Sequence, residues 1–265
     1  MELWQTPSPV RAAFFDADGT LLSFATHEVP ASSCKALRAL RRAGVRCFLC
    51  TGRSPSLLDD IPLELFDACL TMSGQYCYAA DDVFLSNPID REDMRQVVAQ
   101  VREGRYEVLF MEPADSFLSG HSILADRALE AANMMHVRVE PAERALDRDI
   151  YQLNVFLPPE DMAVIESVVH NMKFTRWSPN FADAMPANGG KAAGVEAALA
   201  RYGISPEEAV AFGDGGNDAE MFGAVRTSIA MGNAAAAVKE LTTYVTDGVD
   251  DDGIYNACIR LGLIG

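Results

Sequence analysis

Apolar and polar positions along this chain fall into two textures. Residues 10–15, 45–50 and 68–72 are mostly apolar runs of strand length. Runs without alternation are the pattern of strands covered on both faces. Between the first two, a segment opened by Ser32 or Ser33 predicts a helix to about Ala43, with Leu37 and Leu40 on its apolar face and Gly44 as its stop. A short helix over 54–60 follows, and residues 76–78 and 83–85 flank Asp81-Asp82 as a hairpin. The same texture returns at Lys191. It predicts a helix over 191–202, strands over 209–212, 227–230 and 243–245, and helices over 217–222, from Asn233 as cap through 234–241, and from Asp252 or Gly253 onward. Strands alternating with helices imply an α/β domain built on a parallel, doubly wound sheet.

From about Pro88 the texture changes. Residues 90–103 read as a solvent-facing helix with Met94, Val97, Val98 and Val101 on one side. Strands are expected over 106–111, 137–139, 151–156 and 174–177, and helices over 122–134 and 160–171. This mixture predicts a separate α+β unit.

The chemistry sits where apolar runs end. The first gives way to Asp16-Ala17-Asp18-Gly19-Thr20, at the strand edge where open α/β sheets bind ligands. Two carboxylates so close repel unless a cation or a shared proton compensates. That suggests a Mg²⁺ or phosphate site with one carboxylate free to act as a nucleophile. An Asp-rich turn is the plainer reading of the same residues. Thr51-Gly52-Arg53 follows the second run, Lys191 opens a helix after Gly189-Gly190, and Gly213-Asp214-Gly215-Gly216-Asn217-Asp218 follows the run at 209–212.

In this order, these segments resemble the four motifs of the haloacid dehalogenase (HAD) superfamily of phosphotransferases. Ala230-Met231-Gly232-Asn233-Ala234 and Asp250-Asp251-Asp252-Gly253-Ile254 resemble its Cof-type branch, whose members carry a large C2-type α/β cap between the second and third motifs. The resemblance spans essentially the whole chain. It implies a Rossmann-like core of residues 1–87 and 187–265 with an inserted cap over 88–186. It further implies that Asp16 is the nucleophile and Asp18 the general acid and later base. Thr51 would donate to a phosphoryl oxygen, and Lys191 would neutralise charge on Asp16 and the phosphate. Mg²⁺ would be held by Asp16, the Asp18 carbonyl and Asp214, with Asp218 behind them.

The residues themselves leave several roles open. Gly19 allows backbone N–H groups close to phosphate, and Thr20 helps hold the turn. Gly52 and Arg53 continue the phosphate-binding segment, but Arg53 reads equally as a substrate contact or an ion-pair partner. Asn217 reads as a phosphate contact or a helix cap, and Asn233 as a cap. Ala17 and Phe222 depart mildly from the family's usual apolar residues, with packing effects only. Trp177, Asn180, Phe181 and Asp183 precede the return to the core and are candidate specificity residues or cap packing. His27, His121, His136 and His170 have no metal-ligand spacing.

A net charge of −16 argues against nucleic-acid or anionic-membrane partners. The six cysteines do not suggest a disulfide framework in a chain of this size. Cys47 and Cys50, three apart on one strand, point to opposite faces. Residues 1–9 lack a basic patch followed by an apolar stretch, and no run is long enough to span a bilayer. A soluble cytoplasmic phosphatase of a small phosphorylated metabolite is the expectation, a sugar phosphate first. A phosphotransferase or mutase on the same core is the alternative, and a non-catalytic phosphometabolite-binding protein the reading from another class.

Overall fold

The structure, a computed structural model, describes residues 3–6, 8–80, 82–131, 136–176 and 178–265. It divides into two compact units, Met1–Arg53 with Leu57–Leu85 and Lys191–Gly265, and Ser54–Ser56 with Ser86–Gly190.

The first unit is built on an eight-stranded sheet. Its strands are β1 (Ala12–Phe15), β2 (Arg46–Cys50), β3 (Ala68–Thr71), β4 (Tyr76–Ala79) and β5 (Asp82–Ser86). After the second unit come β12 (Ala209–Gly213), β13 (Thr227–Ala230) and β14 (Tyr244–Val245). The order is β14-β13-β12-β1-β2-β3-β4-β5. It is parallel from β14 to β3 and turns antiparallel at β4. Every residue of β1 and β12 is buried, because helices cover both faces. On one face α1 (Ala31–Arg42) and α8 (Gly253–Arg260) pack with Phe15, Leu49 and Phe212. On the other, α5 (Lys191–Tyr202) and α6 (Ala219–Gly223) pack with Phe14, Phe48 and Leu70. Phe15 stacks on Phe212 at 4.8 Å between ring centres and Phe14 on Phe48 at 4.7 Å, so adjacent residues of β1 are locked from opposite sides. Cys47 and Cys50 fall into these two opposite layers.

The second unit carries α2 (Arg91–Arg102), β6 (Glu107–Met111), β7 (Ser116–Leu118), α3 (Ile123–Ala131) and β8 (Arg138–Val139). Then follow β9 (Gln152–Phe156), α4 (Ala163–Glu166), β10 (Met172–Thr175) and β11 (Ala182–Pro186). The six-stranded sheet runs β10-β11-β9-β6-β7-β8, antiparallel except for the β7–β8 edge. Asp90 caps α2, accepting from the backbone N–H groups of Glu92 and Asp93.

Several local expectations are corrected. The cap position of α1 is Pro30, with no side-chain cap, and Ser32 and Ser33 lie inside the first turn. Residues 54–60 hold only a single 3₁₀ turn, Pro55–Leu57. The helix expected over 160–171 shrinks to a 3₁₀ turn at Pro159–Asp161 and the short α4. The helix after Asn233 is Ala236–Lys239, here α7, with Ala235 in the cap position, so Asn233 is no cap. β7 and β11 were not anticipated. Residues 132–134 of the expected helix over 122–134, Asp81 of the hairpin, and Trp177 lie outside the described residues.

Candidate active site

Parallel register brings the sequence motifs to one edge. Phe15 pairs with Leu49 on one side and Phe212 on the other. Asp16, Thr51 and Asp214 therefore leave the carboxyl ends of three adjacent strands. The Asp16 amide still donates to the carbonyl of Phe212 at 3.0 Å, extending the ladder into the site. The turn that follows is tied down by the amides of Leu21 and Leu22, both donating to the carbonyl of Ala17. Gly19 sits in it at φ +78°, a conformation that suits glycine. A Cβ there would stand 2.2 Å from Asp214 Oδ2.

Lys191, the first residue of α5, is 1% exposed. Its ammonium donates to Asp16 Oδ1 and to Asp218 Oδ1, each at 2.5 Å. A cation at a helix N-terminus faces the wrong end of the dipole, and these two carboxylates offset that cost. Asp218 is fully buried. Its Oδ2 accepts from the backbone N–H groups of Asp214 and Gly215, at 3.0 and 2.9 Å. Both oxygens of Asp218 are thus engaged by the protein. Gly213 leaves room for this carboxylate, since a Cβ there would lie 2.5 Å from Asp218 Oδ2. Asp214 Oδ1 accepts from the Thr20 hydroxyl at 3.0 Å.

The electrostatics follow from the count of charges. Asp16, Asp214 and Asp218 each present an oxygen within 4.8 Å of one another, and the buried cation among them is Lys191. Burial, then the charge of Asp218, pushes the Asp16 carboxyl well above the usual carboxylate range. The same two causes raise Asp214 to about 7. Burial opposes the ammonium form of Lys191, but Asp16 and Asp218 outweigh it and raise its pKa. The cluster is short of positive charge. A hard divalent cation with oxygen ligands fits that deficit. Asp16 and Asp214 are the side chains better placed to offer it oxygens: Asp214 is held only by neutral donors, the Thr20 hydroxyl and, at 3.4 Å, the Asn233 side-chain amide, whereas Asp218 is fully buried between an ammonium and two backbone amides.

Thr51 is 1% exposed, and its Oγ1 accepts from the Arg53 amide at 3.1 Å across Gly52, which leaves its hydroxyl proton free to donate. Arg53 is in ion pairs. Its Nε and Nη2 bind both oxygens of Asp18 at 3.0 and 2.6 Å, and Nη1 binds Asp60. Of the two roles open to Arg53 in the sequence, the structure displays the ion pair. Asn217 lies in the 3₁₀ turn Gly216–Asp218 and does not cap α6.

Sequence reasoning missed the use of Asn233. Its Nδ2 donates to the carbonyl of Gly19 at 2.9 Å, and its Oδ1 accepts from the Val249 amide at 3.0 Å. It joins the Asp16–Leu22 turn to the loop before α8. Its place in the Met231-Gly232-Asn233 motif, close after a strand, was the available signal. Asp183 is 3% exposed, with the side-chain amides of Gln152 and Asn154 donating to its Oδ1. It ties β11 to β9. Phe181 packs edge-on against Phe156, and the Asn180 amide donates to Ser178 Oγ.

Comparison with known proteins agrees with this geometry. Residues 13–258 match the family model of the haloacid dehalogenase-like hydrolases. A putative phosphatase of Bacillus subtilis, YkrA, is 31% identical over 95% of this chain and 97% of its own length. The structure of the HAD subclass IIB sugar phosphatase BT4131 superposes with a TM-score of 0.88 at 30% identity, covering 96% of this chain and all of that one. BT1666 from Bacteroides thetaiotaomicron, described among phosphatases of the superfamily, gives 0.89 at 30% identity, over 97% of this chain and 96% of its own. A doubly wound sheet with an inserted α+β unit, two carboxylates and a hydroxyl at three adjacent strand ends and full-length relatives named as phosphatases converge on one conclusion: the chain belongs to the haloacid dehalogenase-like hydrolase family and is a phosphatase.

Proposed function

We propose that this phosphatase is a Mg²⁺-dependent, Cof-type enzyme that hydrolyses a small phosphorylated metabolite, a sugar phosphate first, through an aspartyl-phosphate on Asp16. The observation that carries the reading is the Lys191 ammonium on Asp16 Oδ1. It orients the carboxylate and leaves Oδ2 for attack on phosphorus.

In this reading Asp16 Oδ2 forms a bond to phosphorus while the bond to the leaving oxygen breaks. The leaving oxygen keeps the electron pair and takes a proton from Asp18. Asp18, now a carboxylate, then accepts a proton from the water that attacks the phosphoryl group, and the bond to Asp16 breaks to release phosphate. The Thr51 hydroxyl donates to a phosphoryl oxygen, and Lys191 balances the charge on Asp16. The amides of Gly19 and Gly52 and the Asn217 side chain line the phosphate position. Asp16 and Asp214, with the Asp18 carbonyl, would hold Mg²⁺, which supplies charge stabilisation to the phosphoryl oxygens when bound. Asp218 supports Lys191 from behind.

The sugar-phosphate preference rests on the likeness to BT4131, a sugar phosphatase. Residues 1–87 and 187–265 are read as the catalytic core and 88–186 as the cap, with Asn180, Phe181 and Asp183 among the candidates for specificity. Six free cysteines fit a reducing cytoplasm, and among the described residues no helix is long and apolar enough to cross a membrane.

The test is release of free phosphate from para-nitrophenyl phosphate with Mg²⁺. EDTA and Asp16→Asn should each abolish it. Turnover that survives Asp16→Asn defeats the covalent route, and substrate consumption without free phosphate favours transfer to a second hydroxyl.

A further inference from the structure

The Arg53 guanidinium is used along both of its edges. Nε and Nη2 grip the two oxygens of Asp18 at 3.0 and 2.6 Å. Nη1 faces the other way, donating to both oxygens of Asp60 at 3.0 Å and to the carbonyl of Leu57 at 3.2 Å. Asp60 lies seven residues beyond Arg53 and has no place in the motifs that mark the site.

The energy of these contacts does not explain them. The Asp18 and Asp60 side chains are 37% and 38% exposed, and pairs at that exposure add little to stability. Geometry explains more. A guanidinium is flat and rigid, so fixing one edge sets the direction of the other. Asp60 and the Leu57 carbonyl belong to the turn that directly follows Arg53, so the segment 53–60 closes on its own arginine. The Arg53 side chain, 21% exposed, is held between the two carboxylates.

We propose that Asp60 is a positioning residue of the reaction: through Arg53 it sets the plane and place of the Asp18 carboxyl. The inference rests on the reading of Asp18 as the group that protonates the leaving oxygen. Misplacing such a group by about 1 Å costs up to roughly a hundredfold in rate.

The test compares two substrates of the Mg²⁺-loaded enzyme. An alkyl phosphate needs its leaving oxygen protonated, whereas para-nitrophenolate leaves with little help. Asp60→Ala should lower kcat on the alkyl phosphate by about tenfold with little change in KM, and lose much less on para-nitrophenyl phosphate. Asp60→Glu, which restores an acceptor for Nη1, should recover most of the loss. If Asp60→Ala does not fold, Asp60→Leu, which also has no acceptor for Nη1, reads the same ratio. Equal losses on both substrates, or none, overturn the proposal. Asp18→Asn separates the two levels. If it shows the leaving-group dependence and Asp60→Ala does not, the positioning role alone falls. If Asp18→Asn shows none, the reading of Asp18 falls and the inference with it.

Discussion

The ammonium of Lys191 stands 2.5 Å from a carboxylate oxygen of Asp218, and both side chains are closed off from solvent. Removing one partner of such a pair leaves a buried charge without an answer. Lys191→Met strands Asp16 as well as Asp218, and it should cost about 3–5 kcal/mol of stability at pH 8. A urea melt reads this directly. An unchanged midpoint would show that the carboxylates are compensated elsewhere.

The raised pKa of Asp214 makes metal-free stability depend on pH. Its value in the folded protein is about 7, against 3.8 for an ordinary Asp. Between the two the folded chain holds a proton that the unfolded chain has released, so this group's contribution falls as pH rises from about 4 to about 7. In EDTA the melting temperature should drop from pH 5 to pH 8, and Mg²⁺ should restore it at pH 8. Asp214→Asn should lessen the slope of the EDTA profile, leaving the part due to Asp16, and abolish the Mg²⁺ effect. A wild-type profile that is already flat in EDTA would contradict the charge deficit.

Gly19→Ala should separate folding from metal binding. The left-handed backbone costs a non-glycine residue roughly 1–2 kcal/mol. The added methyl, 2.2 Å from Asp214 Oδ2, must also push that carboxylate aside. Half-saturation by Mg²⁺ in the phosphatase assay should move to higher concentration. An unmoved metal dependence would mean that Asp214 is not a ligand.

Asn233 offers a sharper test than an alanine scan. Asn233→Ala loses the hydrogen bonds to Gly19 and Asp214 and the one from Val249, and should cost about 1–3 kcal/mol. Asn233→Asp keeps the acceptor but loses the donor, and sets a further carboxylate beside Asp214, whose Oδ2 lies 3.4 Å from Asn233 Nδ2. It should be the worse variant at pH 8 without Mg²⁺, as judged by melting temperature. The reverse order would show that the Gly19 contact matters little.

How much the sequence disclosed depended on whether neighbours in space were needed to read it. β1, β2 and β12 were legible because burial on both faces leaves almost unbroken apolar runs. α5 was legible from Lys191 to Tyr202 because Gly190 and Gly203 punctuate it. β11 was not, since it contains Asp183 and ends in Pro186. Its charge is tolerated because Gln152 and Asn154, about thirty residues earlier, face it from β9. The overextended reading of 160–171 followed apolar spacing through a segment that makes one turn and stops. The motif residues of the site were visible as strand-end chemistry. Their bonding was not: Arg53 finds Asp18 35 residues away, and Asn233 finds Gly19 across 214.

The order of the sheet has a consequence for synthesis. β1 leaves the ribosome shortly before β2 and can pair with it at once. Its other neighbour, β12, lies some two hundred residues downstream, beyond the whole of the second unit. Until then one edge of β1 has no partner, and Asp16 has no ammonium beside it, because Lys191 is the first residue of the returning segment. Pairings of such sequence separation are slow to form. The nascent chain therefore carries an open, fully apolar strand while some two hundred residues are added, and the carboxylate of Asp16 meets its buried cation only after the whole second unit has been made.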